Sequence, residues 1–353
     1  MKIALITDQH FGVRNDSQLF LDYFEKFYSE IFFPYIKKHN ITTIVDLGDS
    51  LDRRKYINYV TLQRMNKMWL NPIIENGIEL HSLVGNHNIY YRNTNELNSF
   101  DSLFDHPNIH CYSDPTNIKF GGIDIAMLPW INHTNYADAM EFVKNNKADT
   151  LFSHLELAGF EMHLGMKNEH GMSREIFEDF DIVCSGHYHH KSTSGNINYL
   201  GTPYEMTWSD FNDRRGFHIF DSATREIDFI HNPYRMFHKI WYDDTGKTLD
   251  DLVEQDFSTY TNTYVKLIVQ NKENPYWFDM MLDKLYKANP ADIKIVDDHN
   301  NINQLTEDEI ISEAEDTLTI LHKCVDNMAT SGNKAGLQSL MSSLYLEAQN
   351  LET

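Results

Sequence analysis

Cysteine is scarce in this chain. Among 353 residues only Cys111, Cys184 and Cys324 occur, far apart, and they form neither a CxxC pair nor an even-numbered disulfide framework. A reduced compartment is the simple expectation. Proline (9) and glycine (16) are too few for a collagenous or low-complexity chain. Long apolar runs are also missing. The opening MKIALITDQH meets acid and histidine after seven residues, too short for a signal-peptide core, and nothing later reaches the about 18 residues of a membrane span. A cytoplasmic protein with no membrane partner is therefore expected. Cations are outnumbered, 30 Lys and Arg against 52 Asp and Glu, for a formal charge of −22. Such a field repels polyanions and argues against an extensive basic surface. A metal cluster or a basic partner subunit could still reverse the potential locally. No Gly-x-x-x-x-Gly-Lys-Ser/Thr run exists, so ATP binding through a phosphate loop is excluded.

What is present is 41% hydrophobic and 13% aromatic, enough for a sizeable core in two domains or one domain with appendages. Residues 2–7 read as a buried strand. Phe20 to Lys38 has helical spacing interrupted by Pro34, and Ile41 to Val45 is a second strand. Val60 to Ile74 is a second helix, and Glu79 to Val84 a third strand. Strand–helix–strand repetition predicts a partly parallel α/β sheet covered by helices. Further runs at Ile123–Leu128, Thr150–Phe152 and Ile182–Ser185 extend the pattern. Those at 196–200, 216–220 and 226–230 suggest a second, more antiparallel sheet closing a sandwich. Asn232–Pro233 marks a boundary, and a β–β–α–β segment of about 60 residues follows. From Leu305 an apolar stripe through Ile310, Ala314, Leu318, Leu321, Val325 and Met328, with Thr306 and Glu309 as a capping box, predicts a helix.

Each predicted strand ends in a polar cluster: Asp8-x-His10, Gly48-Asp49-x-x-Asp52, Gly85-Asn86-His87, Ser153-His154 and Gly186-His187-x-His189. Ligands of open α/β sheets bind at such ends. Oxygen and imidazole donors without cysteine suit manganese or iron, with zinc an alternative. A glycine before Asp49, Asn86 and His187 lets backbone approach closely. Five convergent pieces predict a two-metal centre. Arg14, Arg53, Arg54 and Lys55, with Tyr90, Tyr91 and Arg92, flank these clusters as candidate phosphate or base contacts. Met162, His163, Met166, His170 and Met172 fall in what reads as a flexible surface insertion.

These motifs resemble those of calcineurin-like metallophosphoesterases, and specifically of SbcD-type DNA-repair nucleases, including the recombination endonuclease subunits of T-even-like tailed phages. Tyr199–Leu200–Gly201–Thr202–Pro203 and Arg215–Gly216–Phe217 resemble the closing region of that family. The resemblance implies a two-sheet β-sandwich flanked by helices at 1–234, a small α+β DNA-facing cap at 235–300, and C-terminal helices at 305–353 that bind a partner. It implies two divalent ions, Mn2+ first, with Mg2+, Fe2+ or Zn2+ as alternatives. Asp8, His10 and His189 would hold one ion, Asn86, His154 and His187 the other, and Asp49 would bridge them. His87 would act on the phosphate as the catalytic residue, assisted by Asn88 and Asp52. The family usually has aspartate where Asn88 stands; the amide is expected to accept the His87 ring N–H without adding charge. Exonuclease and endonuclease activity on DNA, a homodimer and an SbcC-like coiled-coil ATPase partner are implied, in the cytoplasm of an infected bacterial host. A small-molecule phosphodiesterase or phosphatase shares every ligand, and a metal-stabilised structural subunit that recruits the ATPase is the non-enzymatic alternative.

Overall fold

The computed structural model describes residues 1–169 and 171–297, together with Val325, Lys334, Gly336, Leu337, Gln338, Leu340 and Met341. The expected helical stripe after Leu305, apart from Val325, lies outside the described residues, as do His170 and Cys324.

Two six-stranded mixed sheets stack on each other. The first runs, in spatial order, Ile227–His231, Gly216–Asp221, Lys2–Ile6, Thr43–Asp46, Glu79–Leu83 and Ile109–Tyr112. The second runs Ser192–Ser194, Ile197–Tyr199, Ile182–Gly186, Thr150–His154, Ile123–Leu128 and Thr116–Phe120. The apolar run of the first strand is continuous because both its faces are buried. Ile3 and Leu5 point into the layer between the sheets, against Ile125, Met127 and Phe152. Ala4 and Ile6 point the other way, into the layer under the helices, with Phe24, Phe27 and Trp69. Period-two alternation thus distributes one strand between two cores.

The expected division of strands needs correction. Gly216–Asp221 and Ile227–His231 do not close the second sheet; they extend the first, with Ile3 opposite Phe220 in an antiparallel pair. The second sheet is largely parallel at its centre, where Ile182–Gly186 lies between Thr150–His154 and Ile197–Tyr199. Strand pairing across two hundred residues leaves no local periodic signal, whereas the strands themselves do.

Both covering helices contain a wide turn. Gln18–Phe27 passes through a π segment, Tyr28–Phe32, into Phe33–Lys38, and Tyr59–Met65 passes through Asn66–Leu70 into Asn71–Glu75. In each case a proline, Pro34 or Pro72, lies in the first turn after the π segment. Proline has no N–H to return to the preceding turn, and the widened turn accommodates that loss without ending the helix.

Beyond Asn232 a three-stranded parallel sheet, Phe237–Asp243, Tyr264–Asn271 and Asp292–Asp297, packs Val265, Leu267 and Val269 against Phe278, Met281 and Leu285 of helix Pro275–Lys287. Asn274 caps that helix through its side chain. The buried Glu205 carboxyl accepts the backbone N–H groups of Met236 and Phe237 at 2.7 and 2.9 Å, fixing the entry of the chain into this sheet.

Candidate metal centre

Parallel register brings the polar clusters together. Ile6 pairs with Asp46 and Gly186 with His154, so the loops leaving these strands emerge side by side. The 8–11 loop then runs along the 48–50 loop: Asp8 N–H donates to Gly48 O at 2.9 Å, His10 N–H to Asp49 O at 3.0 Å and Phe11 N–H to Ser50 O at 2.8 Å. Across the sandwich, His187 N–H donates to the Asp8 carboxylate at 3.0 and 3.2 Å.

Two groups of donors result. Ligand-type atoms of Asp8, His10 and His189 lie within 4.8 Å of one another, and so do those of Asp49, His154 and His187. In the first group the Nε2 atoms of His10 and His189 face each other at 3.2 Å. Either ring can donate to the other there, and with both lone pairs turned inward the same two nitrogens could share a cation. In the second, Asn86 Oδ1 stands 3.0 Å from His154 Nε2 and 2.9 Å from His187 Nδ1, while Asp49 Oδ2 is 3.3 Å from His154 Nε2. His154 Nδ1 lies 2.7 Å from Leu47 O, so that carbonyl accepts its ring N–H and Nε2 is the nitrogen turned inward.

Electrostatics favour the same reading. Burial pushes the Asp8 carboxyl up to about 7 and the His10 and His187 rings down to about 3. Burial alone would lower His154 as well, but the Asp49 charge beside it raises it to about 9. Asp49 is itself held well below the ordinary carboxylate range: burial opposes its charge, and His154 and His87 overcome that opposition. His10 and His187 are thus unprotonated beside buried carboxylates, and nitrogen and oxygen donors of this mix fit divalent ions such as Mn2+, Fe2+ or Zn2+. His10 Nδ1 and His189 Nδ1 are buried without a hydrogen-bond partner.

Four of these residues, Asp8, His10, Asp49 and His187, have φ values of 52°, 46°, 57° and 88°. Left-handed backbone at a non-glycine residue costs about 1–3 kcal/mol each and persists only where the surroundings enforce it. Close approach also explains two glycines. A Cβ on Gly85 would run into the Asp49 carboxylate, and one on Gly186 into Thr7 Oγ1 and, at 3.0 Å, Asp8 Oδ2.

His87 stands at the edge of the first group, its ring edge-on to His10 at 4.8 Å. The expected bond from its ring to Asn88 is not made. His87 Nδ1 instead lies 2.5 Å from the backbone carbonyl of Asp52, whose carboxylate is 3.7 Å from His10 Nδ1. Asn88 is fully buried and turned the other way: its Oδ1 accepts both Gly85 N–H and Asp49 N–H, at 2.9 and 2.8 Å, and its Nδ2 donates to Ser99. A side chain next to His87 in sequence cannot both follow the ring and close that turn, and closing the turn satisfies two buried donors. Asn88→Ala orphans both, at about 1–3 kcal/mol. Urea unfolding of the variant should therefore show a lowered midpoint with an unchanged slope.

Several flanking cations are committed to the fold. Arg14 donates to Met206 O, Arg53 pairs with Asp16 at 2.6 Å, and Arg54 donates to the carbonyls of Ile89 and Tyr90. Lys55 lies over the Tyr90 ring, which meets Tyr91 edge-on. Asp46 is not among the residues expected from sequence, yet it is buried and binds Gln9, Ser50 and Gly48 N, shaping the turn ahead of Asp49. An acidic residue ending an apolar strand was the available signal. Trp130, whose ring lies 5.0 Å from His187 and 6.0 Å from His154, gave none. The described residues of the 155–172 insertion fold onto the protein: Glu161–His163 pairs with Met166–Lys167, and Met162 and Met172 pack on the core beneath.

Among known proteins, the family model described as calcineurin-like phosphoesterase matches residues 1–191. Exonuclease subunit 1 of Enterobacteria phage T4 is 30% identical over 356 residues, covering 99% of each chain. An SbcCD nuclease subunit of Staphylococcus saprophyticus is 24% identical over 259 residues, covering 64% of this chain and 67% of its own. A solved archaeal phosphodiesterase overlays on 66% of this chain and all of its own at 12% identity and a TM-score of 0.34. The matched region contains every strand-end cluster that builds the centre, and the alignment with the phage protein runs nearly from end to end: the chain belongs to the calcineurin-like phosphoesterase family.

Proposed function

We propose that this chain is the nuclease subunit of an SbcCD-like complex, hydrolysing DNA phosphodiester bonds. The near end-to-end alignment with a relative named as an exonuclease subunit carries this reading over a small-molecule phosphatase, which would share only the metal ligands. When bound, two divalent ions neutralise the phosphate and supply an activated water for in-line attack. Asp8, His10 and His189 would hold one ion, Asn86, His154 and His187 the other, and Asp49 would serve both. The geometry of Asp49 is maintained by His87 N–H, which donates to its Oδ1 at 2.7 Å. His87 acts on the substrate: with Nδ1 committed to the Asp52 carbonyl, Nε2 is the ring atom available to position the phosphate or protonate the leaving oxygen. Asp52 assists through that carbonyl, and Asn88 through the turn that carries Asn86 and Asp49.

Residues 1–234 are the catalytic domain in this reading, 235–300 a DNA-facing cap and 305–353 the attachment to a coiled-coil ATPase, the whole working as a homodimer with Mn2+. The acidic chain suits such a division, since a partner would contribute cations for the DNA backbone. Cleavage of end-labelled duplex and single-stranded DNA with Mn2+, with and without the ATPase from the same source, tests it. Wild-type protein should cleave, and His87→Ala should be slower by roughly 10²–10⁴-fold. Hydrolysis of bis-p-nitrophenyl phosphate without any DNA cleavage, even with the partner, would move the assignment to a small-molecule phosphodiesterase.

A further inference from the structure

His163 lies in the hairpin of the 155–172 insertion, 1% exposed, with its ring edge-on to the His189 ring at 5.5 Å between centroids. The hairpin is tied to the ligand-bearing loop at a second point, where His190 N–H donates to Met162 O at 3.0 Å. Beneath both rings is Asp210, fully buried, its Oδ1 3.8 Å from His163 Nδ1. One ligand-type atom from each of His163, His189 and Asp210 lies within 4.8 Å of the others.

A third ion does not suit this cluster. Asp210 Oδ2 already accepts Met206 N–H and Thr207 N–H, at 2.7 and 2.9 Å, and the Arg215 guanidinium donates to Oδ1 at 2.8 Å. The cation is supplied by the protein. What the cluster does adjoin is the His189 ring. That ring turns Nε2 toward His10, and its Nδ1 is buried without a hydrogen-bond partner. A histidine that gives one nitrogen to a cation carries its proton on the other, and the groups facing that proton set the angle of the ring.

Resting on the two-ion reading above, we propose that His163, backed by Asp210, is a positioning residue: it holds the His189 ring edge-on and keeps polar atoms within 4.8 Å of one of its nitrogens, so that the insertion tunes the affinity of the ion shared by Asp8, His10 and His189.

Mn2+ titration of metal-stripped full-length protein, following free Mn2+ by electron paramagnetic resonance, tests this with His163→Leu, which fills the space without a polar atom, and His163→Gln, which keeps one. Wild-type protein should take up two ions. His163→Leu should bind one as before and the other roughly 10–100-fold more weakly, with an altered visible spectrum when Co2+ replaces Mn2+, and His163→Gln should recover most of the loss. Both variants matching wild type, or both weakened equally, would overturn the positioning role while leaving the two-ion reading intact. A wild-type protein that takes up fewer than two ions would overturn both.

Discussion

Asp49→Ala should leave a folded protein that cleaves far more slowly and takes up fewer metal ions, one of the two largest effects expected of a single substitution. Asp49 is 1% exposed, takes His87 N–H on one oxygen, and lies 3.3 Å from His154 Nε2 with the other. Its charge acts on both donor groups, raising His154 and working against the fall that burial imposes on His10. If the lost charge stabilisation in the transition state is about 4 kcal/mol, within what metal centres supply, the rate falls by roughly a thousandfold. Single-turnover cleavage at saturating Mn2+ measures this, and a loss below tenfold would show that Asp49 is dispensable. A second readout needs no metal. Asp49 raises the folded-state pKa of His154 from 6.5 to about 9. The stability that His154 contributes is therefore fully present below about pH 6.5 and lost as pH rises through about 9. Metal-free wild-type protein should show that decline in its melting temperature, and Asp49→Ala should lack it.

Arg215→Ala is expected to be the most destabilising substitution outside the apolar core. The side chain is 2% exposed and pairs with Asp210 at 2.8 Å and Asp213 at 2.9 Å, while Nη1 donates to Thr202 Oγ1 at 2.7 Å and to the His189 carbonyl. Removing it strands the buried Asp210 charge, a situation that costs about 3–5 kcal/mol. The comparison with Arg215→Met combined with Asp210→Asn separates charge from packing: once neither charge is buried, the double variant should lose less than Arg215→Ala alone. Urea unfolding decides it, and a loss under about 1 kcal/mol for Arg215→Ala would mean water reaches Asp210.

The sandwich and the polar residues that end its strands were legible in the sequence. Asp8, His10, Asp49, Asn86, His154, His187 and His189 each follow an apolar strand run, and the register that aligns Ile6 with Asp46 and Gly186 with His154 delivers them to one place. Glycine at 85 and 186 was legible for the same reason, because a close approach excludes a side chain. The strand Gly216–Asp221 was legible as a strand, but its seat beside Lys2–Ile6 was not, since pairing partners are chosen by three-dimensional closure. Asn88 and His163 escaped for a related reason. Their neighbours in sequence suggested one contact, and buried polar atoms elsewhere in the fold claimed another.

That late closure has a consequence for synthesis. The strand Lys2–Ile6 emerges early but is flanked on one side by residues 216–221, and His10 meets a residue 179 positions further along the chain. At a translation rate of roughly 5–20 residues per second, the ribosome exposes Asp8, His10 and Asp49 many seconds before His187 and His189. Until then the early residues are ordinary polar side chains at the mouth of an unfinished sheet. A stalled product that ends before His187 and His189 cannot bring the two donor groups together, so the topology itself acts as a timing lock on assembly of the centre.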